Sequence, residues 1–216
     1  MTQLTVSPGT RAAAGPVLAV AGGLVTGGFA AWAYYGDTVR PLAHAFGLWI
    51  TLLALLSARR LVREAVLRSV LALAAAVTAF YVGTDVTYGI EYPGAPYSVD
   101  LEQLVQWLVL AVVAGSLLGW AFHPIGRPGR VGALATAAAV GLLAADAYRR
   151  SSNYPEDGAV LVGFAALAIA AVLAVAVRSP RQLSEVALWT VPMAAAGWVL
   201  VSAPDLLEQL LITGSF

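Results

Sequence analysis

Residues 131–148 read VGALATAAAVGLLAADAY, a run that carries no charge until Asp146. At about 1.5 Å of rise per residue, a helix of this length covers about 27 Å, close to the ~30 Å hydrocarbon core of a bilayer. A strand of a membrane barrel would instead alternate polar and apolar residues over about ten positions. This run does not alternate, so it predicts a membrane-spanning helix. Outward from it, similar stretches bounded by Arg, Pro, Gly or acidic residues occupy 15–35, 41–57, 66–83, 101–122, 159–177 and 184–201. Together they predict one all-α domain over residues 1–216, a polytopic seven-transmembrane-helix bundle. The second stretch is short and starts at Pro41, a good first helical position. The first has no small-residue cleavage site after a short core, so it is expected to be retained rather than removed as a signal peptide. Residues 204–213 place Leu and acids at helical spacing and predict a segment lying along the interface.

Composition points the same way. Of 216 residues, 60% are hydrophobic and 11% charged, with a mean hydropathy of +0.80. A soluble domain is nearer half apolar and a quarter charged. The absence of cysteine excludes disulfides, thiolate metal sites and thiol nucleophiles. All twelve cationic side chains are Arg and the net charge is zero, which removes lysine Schiff-base chemistry and argues against a nucleic-acid partner. No Walker loop, His-Glu-x-x-His, serine nucleophile elbow or Asp-rich magnesium motif is present, so hydrolase, kinase and diphosphate-dependent prenyl-transfer readings lack their residues. His44 and His123 fall near opposite predicted membrane faces, which disfavours a haem held between them.

The loops sort by charge. One side carries Arg11, Arg59, Arg60, Arg63, Arg68, Arg127, Arg130, Arg178 and Arg181, and the other only Arg40, Arg149 and Arg150 among nine acidic residues. Cytoplasmic loops carry the excess Arg, so the N-terminus is expected inside, the C-terminus outside, and the chain in the cytoplasmic (inner) membrane of a bacterium. Small residues recur every fourth position at Ala19, Gly23, Gly27, Ala31, at Ala111, Gly115, Gly119, and at Ala133, Ala137, Gly141, Ala145. Such ridges let helices approach closely within lipid, and packing accounts for them.

The polar side chains gather at the outer end. Trp32, Tyr34 and Tyr35 lie on the first span, His44 on the second, Tyr81, Asp85 and Tyr88 around the end of the third. Glu102, Gln103, Gln106 and Trp107 open the fourth, Asp146 and Tyr148 close the fifth, and Trp198 lies near the end of the seventh. If the third helix continues past Gly83, Tyr81, Asp85 and Tyr88 share one face. Glu102 and Gln106 stand one turn apart. An ionisable residue at a span's centre costs about 2.5–3.5 kcal/mol on insertion scales, so each needs a partner, an interface or a task. A carboxylic acid packed away from water stays protonated and can act as a proton donor. The competing readings are plain: Trp and Tyr form interface belts, Asp85 is solvated, Asp146 pairs with Arg149 or Arg150 at the helix end, and His44 makes an interhelical hydrogen bond. Residues 89–97, with Pro and Gly beside Ile90, Tyr92 and Tyr97, read either as a lid over the outer mouth or as a connector.

Acids and aromatics at one depth suit an acid-initiated cyclase, in which a buried acid protonates an alkene or epoxide and aromatic faces stabilise the carbocation. In size, seven predicted spans and acids facing aromatics, the chain resembles the small integral-membrane terpene cyclases of fungal meroterpenoid pathways and their bacterial, drimentine-type counterparts acting on farnesylated indole cyclodipeptides. That resemblance implies a lipophilic prenylated substrate, catalytic roles for Asp85, Asp146, Glu102 and His44, and substrate contacts from Trp32, Tyr35, Tyr81, Tyr88, Gln106, Trp107, Tyr148 and Trp198. The reaction is redox-neutral, so no metal or organic cofactor is implied. The stretch 141–148, GLLAADAY, also resembles an uncharacterised family of actinobacterial multi-pass proteins, which implies no activity. The alternative function is a small-solute transporter or membrane accessory subunit. Its usual pointers, an inverted repeat or a helix broken at mid-membrane, are not visible in the sequence.

Overall fold

A computed structural model describes the backbone of residues 8–94 and 99–213 and the side chains of residues 14–94 and 99–203. Every element in it is helical: α1 Pro8–Tyr34, α2 Arg40–His44, α3 Gly47–Ser57, α4 Val62–Glu91, α5 Leu101–Phe122, α6 Arg130–Asn153, α7 Gly158–Ala176 and α8 Pro180–Thr213, with a 3-10 turn at Pro155–Asp157. Six of them, α1 and α4 to α8, are long and apolar enough to cross a membrane.

The expected span at 41–57 is the exception. It is two short helices, α2 and α3, separated by an extended Ala45 (φ −88°, ψ 139°). The N–H of Gly47, which an unbroken helix would spend on the carbonyl of Ala43, is taken by the Asp146 carboxylate instead, at 2.9 Å. α4 continues past Gly83, so Tyr81, Asp85 and Tyr88 do stand on one helix. Gly89, Ile90 and Glu91 belong to that helix and Tyr92 ends it, so the first half of the expected lid is helical; residues 95–98 lie outside the described residues. The backbone of α8 runs on through Pro204 to Thr213 without a separate segment, and the side chains beyond Ala203 lie outside the described residues.

The small-residue ridges are the seams of the bundle. α1 and α4 lie side by side in parallel: a Cβ on Gly27 would run into the Ala76 carbonyl, and Ala19 and Ala31 are buried. Gly115 and Gly119 of α5 meet the backbone of α4 at Val70 and Val66, each 2.8 Å from where a Cβ would sit. Ala133, Ala137 and Gly141 of α6 take α8 through Val186 and Met193. α6 is the most enclosed span, 72% of its apolar window buried against 17% for α5 and α8, and Asp146 lies on its protein-facing side. α3 sits centrally, with Leu53 and Ala54 closed off between α4, α5, α6 and α7.

Candidate functional site

The site is built around the break between α2 and α3. Asp146, 2% exposed, projects from α6, and its Oδ2 accepts the Gly47 N–H at the start of α3 while its Oδ1 has no hydrogen-bond partner. A helix N-terminus presents unsatisfied N–H groups and a positive dipole end, so a carboxylate is well placed there. The approach is close: a Cβ at position 47 would lie 3.1 Å from the Phe164 ring and 3.7 Å from Asp146 Oδ2. One turn on, the guanidinium groups of Arg149 and Arg150 each lie 5.9 Å from the Phe46 ring centroid, within cation-π range. Arg149 is buried, so α6 carries an acid and two guanidiniums into the protein interior beside the break.

Above the break a charged hollow of about 450 Å³ opens between the α1–α2 turn, α2 and the α6–α7 connection. Asp37, Arg40, His44, Arg150, Glu156 and Asp157 line it, with Pro41, Tyr154 and Leu161. His44 sits at its rim, its ring 5.2 Å from that of Tyr34.

A second hollow, of about 310 Å³, is apolar and opens between α3, α4, α5, α6 and α8. Trp49 and Trp107 line it, and Phe46 forms one wall while its ring holds the two guanidiniums.

The other residues expected at the site do not converge there. Asp85, half-buried on α4, lines neither hollow. It lies one residue from Thr84, whose carbonyl accepts the Tyr35 hydroxyl at 3.3 Å. Tyr81 packs on Phe80, which meets Tyr34, so Tyr34, Tyr35 and Tyr81 form an aromatic chain from α4 to the rim of the charged hollow. Tyr88 stacks on Tyr92 farther out. Glu102 and Gln106 are exposed on α5, away from Asp146. Trp32 is 59% exposed on α1, while Tyr148 (68%) and Trp198 (49%) flank a shallow alanine-lined dip between α6 and α8. In a bilayer these three face lipid, as interface aromatics do. The residues that sequence reasoning missed are Gly47, Phe46, Trp49 and Arg40; Arg149 and Arg150 were read as ion-pair partners of Asp146 but not as part of a site. Among the described residues, no three His, Asp or Glu side chains gather as metal ligands would.

The chain belongs to the family of unknown function DUF6518, whose model matches residues 6–207. No curated protein and no solved structure matches it.

Proposed function

We propose that this protein is a carrier for a small solute, with the charged hollow above the α2–α3 break as its binding site. In this reading α2 and α3 together make one broken crossing, bringing the passes to seven. The Arg-rich end faces the cytoplasm, the N-terminus is inside, and the membrane is the bacterial inner one. The observation that carries it is the hydrogen bond from Gly47 to the buried Asp146 carboxylate beneath a hollow lined with charge. Broken crossings in membrane proteins are tolerated where they line a cavity, and half-helix ends are where carriers hold solutes. Three carboxylates (Asp37, Glu156, Asp157) face two guanidiniums (Arg40, Arg150) around the hollow, which suits a solute bearing both charges. The test is uptake by proteoliposomes offered a panel of amino acids and quaternary-ammonium zwitterions. Saturable uptake of at least one is expected, reduced about tenfold or more by Arg150→Ala, the scale of truncating one member of a charge pair. No uptake of any zwitterion, or uptake indifferent to Arg150→Ala, removes the proposal.

The second reading, a membrane terpene cyclase, is favoured by the apolar hollow, whose Trp49 and Trp107 could flank a prenyl chain beside Phe46. Among the described residues no acid lines that hollow itself; Asp146 would supply the proton, since its carboxylate accepts the N–H of Gly47, the residue next to the lining Phe46. Detergent-solubilised protein given a farnesylated indole diketopiperazine yields an isomer of unchanged mass if this reading holds, and loses that activity in Asp146→Asn.

A further inference from the structure

The two ends of the bundle are built differently. At the end opposite the hollow, each helical connection is tied to the next by side chain to backbone bonds. Arg59, between α3 and α4, donates from Nε to the Gly126 carbonyl at 3.2 Å and from Nη2 to the Val175 carbonyl in the last turn of α7 at 2.8 Å. Its own N–H bonds the Ile125 carbonyl. Arg127, in the α5–α6 turn, donates to the Arg60 carbonyl at 2.7 Å. Gln182, 7% exposed on α8, donates to the Arg127 carbonyl and accepts the Arg178 N–H. The α3–α4, α5–α6 and α7–α8 connections thus form one clasp.

Arg59 also sits at φ 60°, the only left-handed non-glycine residue among those described. A bulky residue there is strained, and persists because its surroundings hold it. Gly126 (φ +78°) leaves room for the guanidinium: a Cβ there would lie 2.6 Å from Arg59 Nε. Just inside the clasp, Ser57 and Ser69 are fully buried and hydrogen-bonded to each other at 3.0 Å.

We propose that the clasp of Arg59, Arg127 and Gln182 is the inner gate of the carrier, closed in the form described here while the hollow at the other end is open. The proposal rests on the carrier reading above. It requires that breaking the clasp exposes buried positions at the inner end and closes the hollow at the outer end in exchange.

The chain has no cysteine, so a single introduced thiol reports on its own position without background. Ser57→Cys probes the space behind the clasp and Tyr154→Cys the hollow, each in the full chain in membrane vesicles of defined orientation, labelled with an impermeant maleimide. Combining either probe with Arg59→Gly, which accepts the backbone angle and removes the guanidinium, is expected to raise Ser57→Cys labelling from the inner face about tenfold, the scale of a lost charged hydrogen bond. Tyr154→Cys labelling from the outer face falls correspondingly. Gln182→Ala, which breaks the clasp at α8, gives the same exchange if Arg59→Gly does not fold. A rise at Ser57→Cys with no fall at Tyr154→Cys means local fraying and overturns the gate, as does no change at either. The readout needs no solute, so an exchange between ends with no uptake in proteoliposomes defeats the carrier and leaves the two-state clasp standing.

Discussion

Asp146 meets the start of α3 as a hydrogen-bond acceptor: its Oδ2 takes the Gly47 N–H, a donor buried there. Asp146→Ala leaves that N–H unsatisfied and costs about 1–3 kcal/mol. Asp146→Asn keeps an acceptor oxygen on the same atom path and is expected to cost less than the alanine variant. Chemical unfolding in detergent distinguishes the two, and equal losses would mean that charge, not the hydrogen bond, holds the break.

At the scale of elements, the seams make the sharpest claim. Gly27→Val puts two methyl groups against the Ala76 backbone carbonyl, which cannot step aside as a side chain does. Overpacking of this kind costs about 1–3 kcal/mol or more, so the variant is expected to melt lower in a detergent thermal scan, whereas Gly28→Val, with open space around it, is not. The same elements separate what a sequence tells from what it withholds. The span 101–122 coincides with α5, because an unbroken apolar run needs only local hydrogen bonds to become a helix. The four-residue ridges were legible as packing for the same reason, being properties of one helix face. The break at Ala45–Phe46 was not legible, because its cause lies 99 residues away at Asp146 and no proline or glycine pair marks it. The candidate site suffered likewise: Asp146 stood out with Arg149 and Arg150 one turn on, and His44 singly, but that Phe46 and Gly47 would join them depends on α3 packing against α6. Trp32, Tyr148 and Trp198 were legible as aromatics at one depth, yet depth says nothing about which side of a helix meets protein.

For the whole molecule, the parallel run of α1 and α4 carries the topology. Gly27 abuts Ala76 and, farther along both helices, Ala31 abuts Gly83, so both helices point the same way. Two successive full spans can be parallel only if the chain between them returns across the bundle, which is the work left to α2 and α3. Their 16 helical residues supply about 24 Å of rise, short of ~30 Å, and the charged hollow opens at the α2 end of the pair. A re-entrant α2–α3 that dips and comes back would invert every later helix. Single thiols at Thr38, Ser152 and Ser179 decide between the two. If the broken pass crosses, Thr38→Cys and Ser152→Cys are labelled from the same face and Ser179→Cys from the other. If it re-enters, Thr38→Cys pairs with Ser179→Cys instead, α1 and α4 must be antiparallel, and the seam at Gly27 could not exist as described. The Arg-rich end, holding Ser179, is expected on the cytoplasmic face, since a surplus of Arg in short loops sets orientation.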